Sequence, residues 1–297
     1  MIRYLMLCLA LLMTTSCKPA ATTQTAQKYK IGYMICDSEQ ETLNRFLPLT
    51  KFMSKKMGVE FEAVAIDTTS FANEVDKLDF THTNSLLYIM MNRHNGLEVL
   101  AVEKRGSLAD RSKGVIAVLK KSGIKTLGDL KGKTMIFGPM LAPTGFMSQI
   151  DLLQQGGINP DKDLASFSIP KGTYKHEKVI YGVLYEKYDA GAFPYNDFEI
   201  MIQDGRIDPE DFTILADGPL IPYCNFAVTQ RVDDALAREF KKNLLAITEK
   251  DTVEINGETV KVLARASLQG IADITDKDFD IVREMAKRTN MPPYQQY

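Results

Sequence analysis

Three short stretches hold the side chains able to do chemistry. Phe80–Ser85 reads FTHTNS and sets His82, Thr83, Asn84 and Ser85 side by side; PMLAPTGF puts Thr144 and Gly145 directly after Pro143; GTYKHEK carries His176 three residues after Thr173. Hydroxyls, an amide and imidazoles, each at a predicted strand-to-helix junction, form a donor set for an oxyanion. Helix starts add unpaired backbone N–H groups and positive dipole ends. Pro143 suits a first helical position, so Thr144 and Gly145 fall in the first turn, where Gly145 would let an oxyanion approach with no Cβ in the way. A histidine in a first turn is disfavoured as a cation, so His176 should stay neutral until an anion binds and raises its pKa. Each feature also has an ordinary reading. Thr144 can belong to a plain capped helix start, Asn84 or Ser85 can be an N-cap, and His176 can be a surface side chain.

Cysteine offers a second chemistry. Of four cysteines, Cys8 and Cys17 lie in the N-terminal segment, leaving Cys36 and Cys224 in the body. They can be small buried residues, a disulfide in an export compartment, or, with His82 and His176, ligands of a soft metal or metalloid. Catalysis has little support: no Gly-x-Ser-x-Gly elbow, phosphate loop, His-Glu-x-x-His or Cys-x-x-Cys occurs, and His82, His94 and His176 are the three histidines. A Cys224/His176 nucleophile pair lacks any local signature. Tyr33, Tyr195 and Tyr223 are candidate pocket walls, and Lys104, Arg105 and Arg111 read as solvated charges.

The elements that must position these groups alternate between strand and helix. Strands are predicted at Tyr29–Cys36, Val59–Ile66, Glu98–Glu103, Val115–Leu119, Lys133–Gly138, Ala165–Ile169, Tyr188–Phe193, Phe212–Ala216 and Asn225–Thr229. Ser38 with Glu41 opens a helix that Gly58 stops, Ser85–Asn95 is a helix stopped by Gly96, and Phe146–Gln155 is a helix stopped by Gly156. Thr173 and the pair Asn196/Glu199 are predicted helix caps. Asp233–Thr248 and Asp276–Thr289 are amphipathic helices. This order describes two α/β units, the second inserted in the first.

Composition sets outer limits. The 297 residues are 45% hydrophobic and 25% charged, with a net charge of -2, which excludes a disordered chain and gives no basic surface for nucleic acid. The length fits two lobes or one large domain. Arg3 followed by the apolar run Leu5–Met13 is too short to span a bilayer and reads as an export signal over residues 1–16. Thr14, Thr15 and Ser16 close on Cys17, like the cleavage site of bacterial lipoproteins. Cys17 would carry the lipid and residues 17–27 a tether, with plain secretion as the alternative.

The runs Thr126–Phe146, Gly172–Phe193 and Leu215–Val228, in this order, resemble the phosphate/phosphite/phosphonate-binding proteins of ABC importers, over most of residues 30–250. The resemblance implies a two-lobed type II periplasmic binding fold, each lobe a mostly parallel sheet flanked by helices: residues 28–115 and 226–297 in lobe I, 116–225 in lobe II, crossovers near 115–119 and 221–229. It implies a monomer that binds a small oxyanion between the lobes, needs no cofactor and delivers to an ABC permease. Thr83, Asn84, His82, Thr144, Gly145, His176, Cys224 and Tyr195 are the residues expected to bind. His176 approximates the family's Gly-Ser-His contact. FTHTNS replaces an aromatic and Gly-Pro of family members, and Cys224 replaces an acidic residue, which argues against an aminoalkylphosphonate. A Cys/His metal or metalloid site, and a ligand-sensing subunit for a membrane kinase, remain alternatives.

Overall fold

The computed structural model describes residues 28–170 and 176–296. The leader at 1–16, Cys17, the tether at 17–27 and the Thr173 cap lie outside the described residues.

The first lobe starts with β1 (Lys28–Met34), whose last four residues are all buried. Helix α1 (Glu39–Met57) follows, and both of its ends are written in the sequence. The Ser38 hydroxyl accepts the Glu41 N–H at 3.1 Å, and Gly58 closes the helix with φ 68°, a conformation glycine adopts without strain. β2 (Glu60–Ile66), α2 (Phe71–Glu74), β3 (Phe80–Thr83), α3 (Ser85–Asn95) and β4 (Glu98–Lys104) complete this part. The chain then crosses through residues that include β5 (Arg111–Ser112).

The second lobe comprises β6 (Gly114–Leu119), β7 (Thr134–Phe137), α4 (Ser148–Gln155), α5 (Pro160–Asp163), β8 (Ser166–Ser168), α6 (Glu177–Leu184), β9 (Ala190–Pro194), α7 (Tyr195–Gln203) and β10 (Phe212–Asp217). The return passes through β11 (Ile221–Pro222), which pairs antiparallel with β5 to make a two-stranded ribbon between the lobes. β12 (Asn225–Val228), α8 (Asp234–Leu245), the hairpin β13 (Thr252–Ile255) and β14 (Glu258–Lys261), α9 (Val262–Arg265), β15 (Gly270–Ala272) and α10 (Asp280–Arg288) follow.

The six-stranded sheet runs β15-β4-β12-β3-β1-β2 and the five-stranded sheet β10-β6-β9-β7-β8. This is a two-lobed α/β fold. Pairing is parallel within β2-β1-β3 and β8-β7-β9, as βαβ units require, and antiparallel wherever β4, β6, β10, β12 or β15 joins. The sheets are thus mixed, not mostly parallel, because β6 and β12, the first sheet strands after the two crossovers, and β15 run against the others. Val115–Leu119, expected as a crossover, is instead the strand between β9 and β10. All six residues of β6 are buried, which is why their unbroken apolar run reads equally well as a sheet centre.

Two further departures bear on the site. Asn196 and Glu199 do not cap α7, which starts one residue earlier after Pro194. Asn196 Nδ2 donates to the Arg105 carbonyl at 2.9 Å, the Ser112 hydroxyl lies 3.0 Å from Asn196 Oδ1, and Glu199 accepts the Ser107 N–H at 2.9 Å. Both side chains thereby fix the first crossover to the second lobe. The second departure is α10, which packs on α3 of the first lobe and on α4 of the second, within an apolar cluster that includes Leu87, Met147 and Met285.

Candidate functional site

A cavity of about 200 Å³ opens between the lobes, where β1, β3 and β4 end on one side and β7 and β9 on the other. Sheets of this kind collect ligands beyond their carboxyl strand ends, because helix N-termini follow there.

On the first lobe, β3 ends in His82-Thr83-Asn84-Ser85, and alternation along the strand separates the roles. His82 lines the cavity, with its ring against Phe46 and Phe226, centroids 4.6 Å away in each case. Its Nε2 lies 2.8 Å from Glu103 Oε2, both side chains are at most 5% exposed, and Nδ1 is buried with no partner. Thr83, one residue on, is buried off the cavity, and its hydroxyl is unpartnered. Asn84 lines the cavity, but its amide is committed: Oδ1 caps α3 by accepting the Leu87 N–H at 2.9 Å, and Nδ2 donates across the cleft to the Leu141 carbonyl at 3.0 Å. Ser85, in the first turn of α3, lines the cavity with a buried, unpartnered hydroxyl.

On the second lobe the chain after β7 enters a π-helical turn, Pro143–Met147, before α4, so Pro143 does sit at a helix start. Thr144 lines the cavity. Gly145 does not: a Cβ there would lie 2.3 Å from His176 Cε1. The absence of a side chain at Gly145 makes room for an imidazole, and not for an oxyanion as its sequence position suggests. His176 stands at the cap position of α6 with Nδ1 buried and unpartnered. Burial lowers its pKa, and the Asp197 carboxylate works against that. Tyr195 lies off the cavity, under the Lys113 ammonium at 5.0 Å from its ring.

The crossovers and α1 supply the charges that sequence reasoning missed. Arg105, expected in solvent, lines the cavity with Nη1 at 3.5 Å from the Tyr223 hydroxyl. Arg45 reaches the cavity from α1; Nη2 donates to the Ala266 carbonyl at 2.9 Å, and Nε is buried without a partner. Glu103 and Asp197 add carboxylates. A signal existed for Glu103: a carboxylate on the same strand face as Val99 and Ala101 must either find a buried partner or serve a site. Arg111 is held by Asp278 at 2.8 Å. Tyr223 is a wall residue, whereas Tyr33 is a core residue bonded to Thr50 at 2.8 Å.

Cys36 and Cys224 both line the cavity as free thiols. Burial pushes Cys36 up to about 11 and Cys224 well above its usual range, with Glu103 adding to both. Neutral thiols are weak metal ligands. Among the described residues no three His, Cys, Asp or Glu side chains form a group that could hold a metal ion, so Cys36, Cys224, His82 and His176 do not assemble as one. No helix among the described residues is long and apolar enough to cross a membrane.

The site therefore combines two guanidiniums, two imidazoles and a serine hydroxyl, four of these five groups with a buried nitrogen or oxygen lacking a protein partner. A buried unpaired polar atom costs about 1 to 3 kcal/mol, and a bound oxyanion would supply the missing acceptors.

Comparison with known proteins adds the family and the fold. A family described as the periplasmic substrate-binding protein of phosphonate ABC transporters matches residues 31–279. Among curated proteins, the tetrathionate sensor histidine kinase TtrS of Salmonella typhimurium is 27% identical over 229 residues, 71% of this chain; the chain spans 38% of that relative's length. Among solved structures, PhnD1 from Prochlorococcus marinus in complex with methylphosphonate superposes with TM-score 0.71 at 18% identity, covering 89% of this chain and 98% of that one. A binding protein component of an ABC phosphonate transporter from Pseudomonas aeruginosa gives TM-score 0.70 at 17% identity, covering 89% and 87%. At such identities the superpositions carry the fold.

Proposed function

Because the chain belongs to the phosphonate-binding family of ABC-transporter periplasmic substrate-binding proteins, we propose that its inter-lobe cavity captures a small oxyanion of the phosphonate, phosphite or phosphate class and presents it to an ABC permease. The observation behind this reading is the cavity itself. Arg45, Ser85, His82 and His176 bring donors to one space from both lobes, and each has a buried polar atom that no protein group satisfies. Thr144 at a helix start adds to the second-lobe side. A ligand that bridges the lobes favours the closed arrangement by its contacts to both. The chain acts as a binding protein without turnover and as a monomer. It is held at the periplasmic or outer surface by a lipid on Cys17 and needs no cofactor.

Calorimetry against methylphosphonate, phosphite and phosphate tests the proposal. The expected result is a dissociation constant near micromolar, roughly -8 kcal/mol, for at least one of them. No heat with any of the three would overturn it. Loss of membrane association in Cys17→Ser would support the lipid anchor.

A second reading, a sensing subunit for a membrane kinase, rests on the likeness to the tetrathionate sensor kinase over most of this chain. Its specific support is the soft face that Cys36, Cys224 and Met34 give the cavity. Tetrathionate in the same calorimetric series discriminates: binding of tetrathionate and of no phosphorus oxyanion would favour it.

A further inference from the structure

In the His82–Glu103 pair, an imidazole that turns its second nitrogen to the ligand space is joined to a carboxylate that would repel an oxyanion. Both side chains are at most 5% exposed, they are joined at 2.8 Å, and both residues line the cavity. The charge around them is of both signs. The cavity lining holds the guanidiniums Arg45 and Arg105 and the carboxylates Asp37, Glu103, Glu177 and Asp197, of which Glu177 is paired with Arg206 at 2.9 Å. Glu103, in contact with His82, is a like charge to any oxyanion that binds beside that ring.

The geometry supplies a remedy. A neutral His82 with its proton on Nε2, directed at Glu103, leaves Nδ1 as a bare lone pair, and Nδ1 is buried with no protein partner. Protonation at Nδ1 changes the pair from one net negative charge to none and creates an N–H that needs an acceptor. A bound oxyanion is that acceptor, while Glu103 balances the imidazolium from the other side. We propose that the His82–Glu103 pair takes up one proton when the cavity fills, making His82 a specificity-determining residue that favours acceptor-only, fully ionised oxyanions. This deepens the oxyanion-binding reading and rests on it.

The neighbours of His82 are compatible with such a step. Phe46 from α1 and Phe226 from β12 cover its ring and carry no charge, and Tyr33 from β1 has its hydroxyl bonded to Thr50. Glu103, Arg45 from α1 and Arg105 from the first crossover all act on the thiols of Cys36 after β1 and Cys224 before β12, and Asp37 acts on Cys36, so these charges share one neighbourhood. In the empty cavity the Arg105 guanidinium attracts the Glu103 carboxylate. Once an oxyanion engages Arg105, Glu103 needs a new countercharge, and His82 is already in contact.

Nitrogen-15 histidine spectra test this directly, because the chain has three histidines and substituting His94 and His176 with Gln in separate variants assigns the third signal by elimination. The His82 signal is titrated with and without saturating methylphosphonate, and backbone amide shifts report saturation independently. A rise of about one pH unit or more in the His82 midpoint is expected, equivalent by linkage to about tenfold tighter binding to the protonated pair. Glu103→Gln should abolish most of that rise. An unmoved His82 midpoint in a saturated sample would overturn the inference and leave the oxyanion reading intact. No amide shift at any methylphosphonate concentration would overturn the inference together with the assignment of this ligand class. The wild-type titration decides even if Glu103→Gln does not fold.

Discussion

The His176 ring occupies the space that a side chain on Gly145 would need: a Cβ there would lie 2.3 Å from Cε1 and 2.8 Å from Nδ1. The same ring limits Gly138, where a Cβ would lie 2.7 Å from Nδ1, and the Gly138 N–H donates to the Gly145 carbonyl at 2.8 Å. Two glycines and one hydrogen bond thus form the seat of the imidazole. Gly145→Ala should displace His176 from the cavity while the buried hydrophobic core stays in place. Overpacking of this kind costs about 1 to 3 kcal/mol, and affinity for methylphosphonate should fall by about tenfold or more. Calorimetry on a variant with unchanged circular dichroism measures it; unchanged affinity would reject His176 as a ligand contact.

His176 also sets a pH dependence of stability. Burial lowers its pKa below the ordinary 6.5 in the folded state. Unfolded chains therefore bind a proton that the folded chain resists, so the stability from neutral His176 is fully present above about pH 6.5 and is lost as pH falls toward the folded value. Melting temperatures taken from about pH 8 down to pH 5 should drop more steeply for the wild type than for His176→Asn. Parallel curves would contradict the burial argument.

The two cavity thiols should be sluggish. With Cys36 raised to about 11 and Cys224 also raised well above its ordinary range by burial, little thiolate exists near neutrality. Alkylation by iodoacetamide at about pH 8 is expected to run about a hundredfold slower than for an ordinary cysteine, and to accelerate about tenfold per pH unit until the fold is lost. Bound methylphosphonate should slow it further by filling the shared cavity. Rapid labelling of both at neutral pH would refute their protonated, enclosed state.

Much of the fold could be read because its signals are local. Ser38 with Glu41 and Gly58 fixes both ends of α1, and Ser85–Asn95 with Gly96 fixes α3. The β13–β14 hairpin was legible too, through Asn256-Gly257 with φ 52° and 84°, yet a search for βαβ order passes over it. The first crossover was misplaced because β6 is apolar throughout, and an apolar run says nothing about which sheet it joins. In the site, Thr144 and His176 could be proposed from helix starts alone. Arg45 and Arg105 could not, since a charge on a surface helix and a charge after a strand end look alike until tertiary structure closes over them, whereas Glu103 carried a signal in sharing a strand face with Val99 and Ala101. Asn84 was read as a donor to ligand, but capping and the Leu141 contact already use its amide.

Beyond the cavity, Arg288 on α10 grips Asp151 on α4 through two hydrogen bonds, Nε to Oδ1 at 2.9 Å and Nη2 to Oδ2 at 2.8 Å. Asp151 is buried, with its side chain 3% exposed, while that of Arg288 is 49% exposed. Since α10 also packs on α3 of the first lobe, the pair clamps a first-lobe helix to the second lobe on the side of the ribbon β5-β11 where α10's preceding turn holds Arg111. Arg288→Met keeps the aliphatic stem but leaves a buried carboxylate without its cation. Hydrogen bonds to charged groups contribute about 1.5 to 3 kcal/mol, and the half-exposed arginine places the loss near 2 kcal/mol. For a chain of this size that corresponds to a melting temperature lower by roughly 3 to 4 °C. Adding Asp151→Asn to Arg288→Met should recover part of the loss, because the stranded charge is gone. A double variant as unstable as the sum of the two singles would show that the pair does not act as a unit, and would remove α10 as a clamp between the lobes.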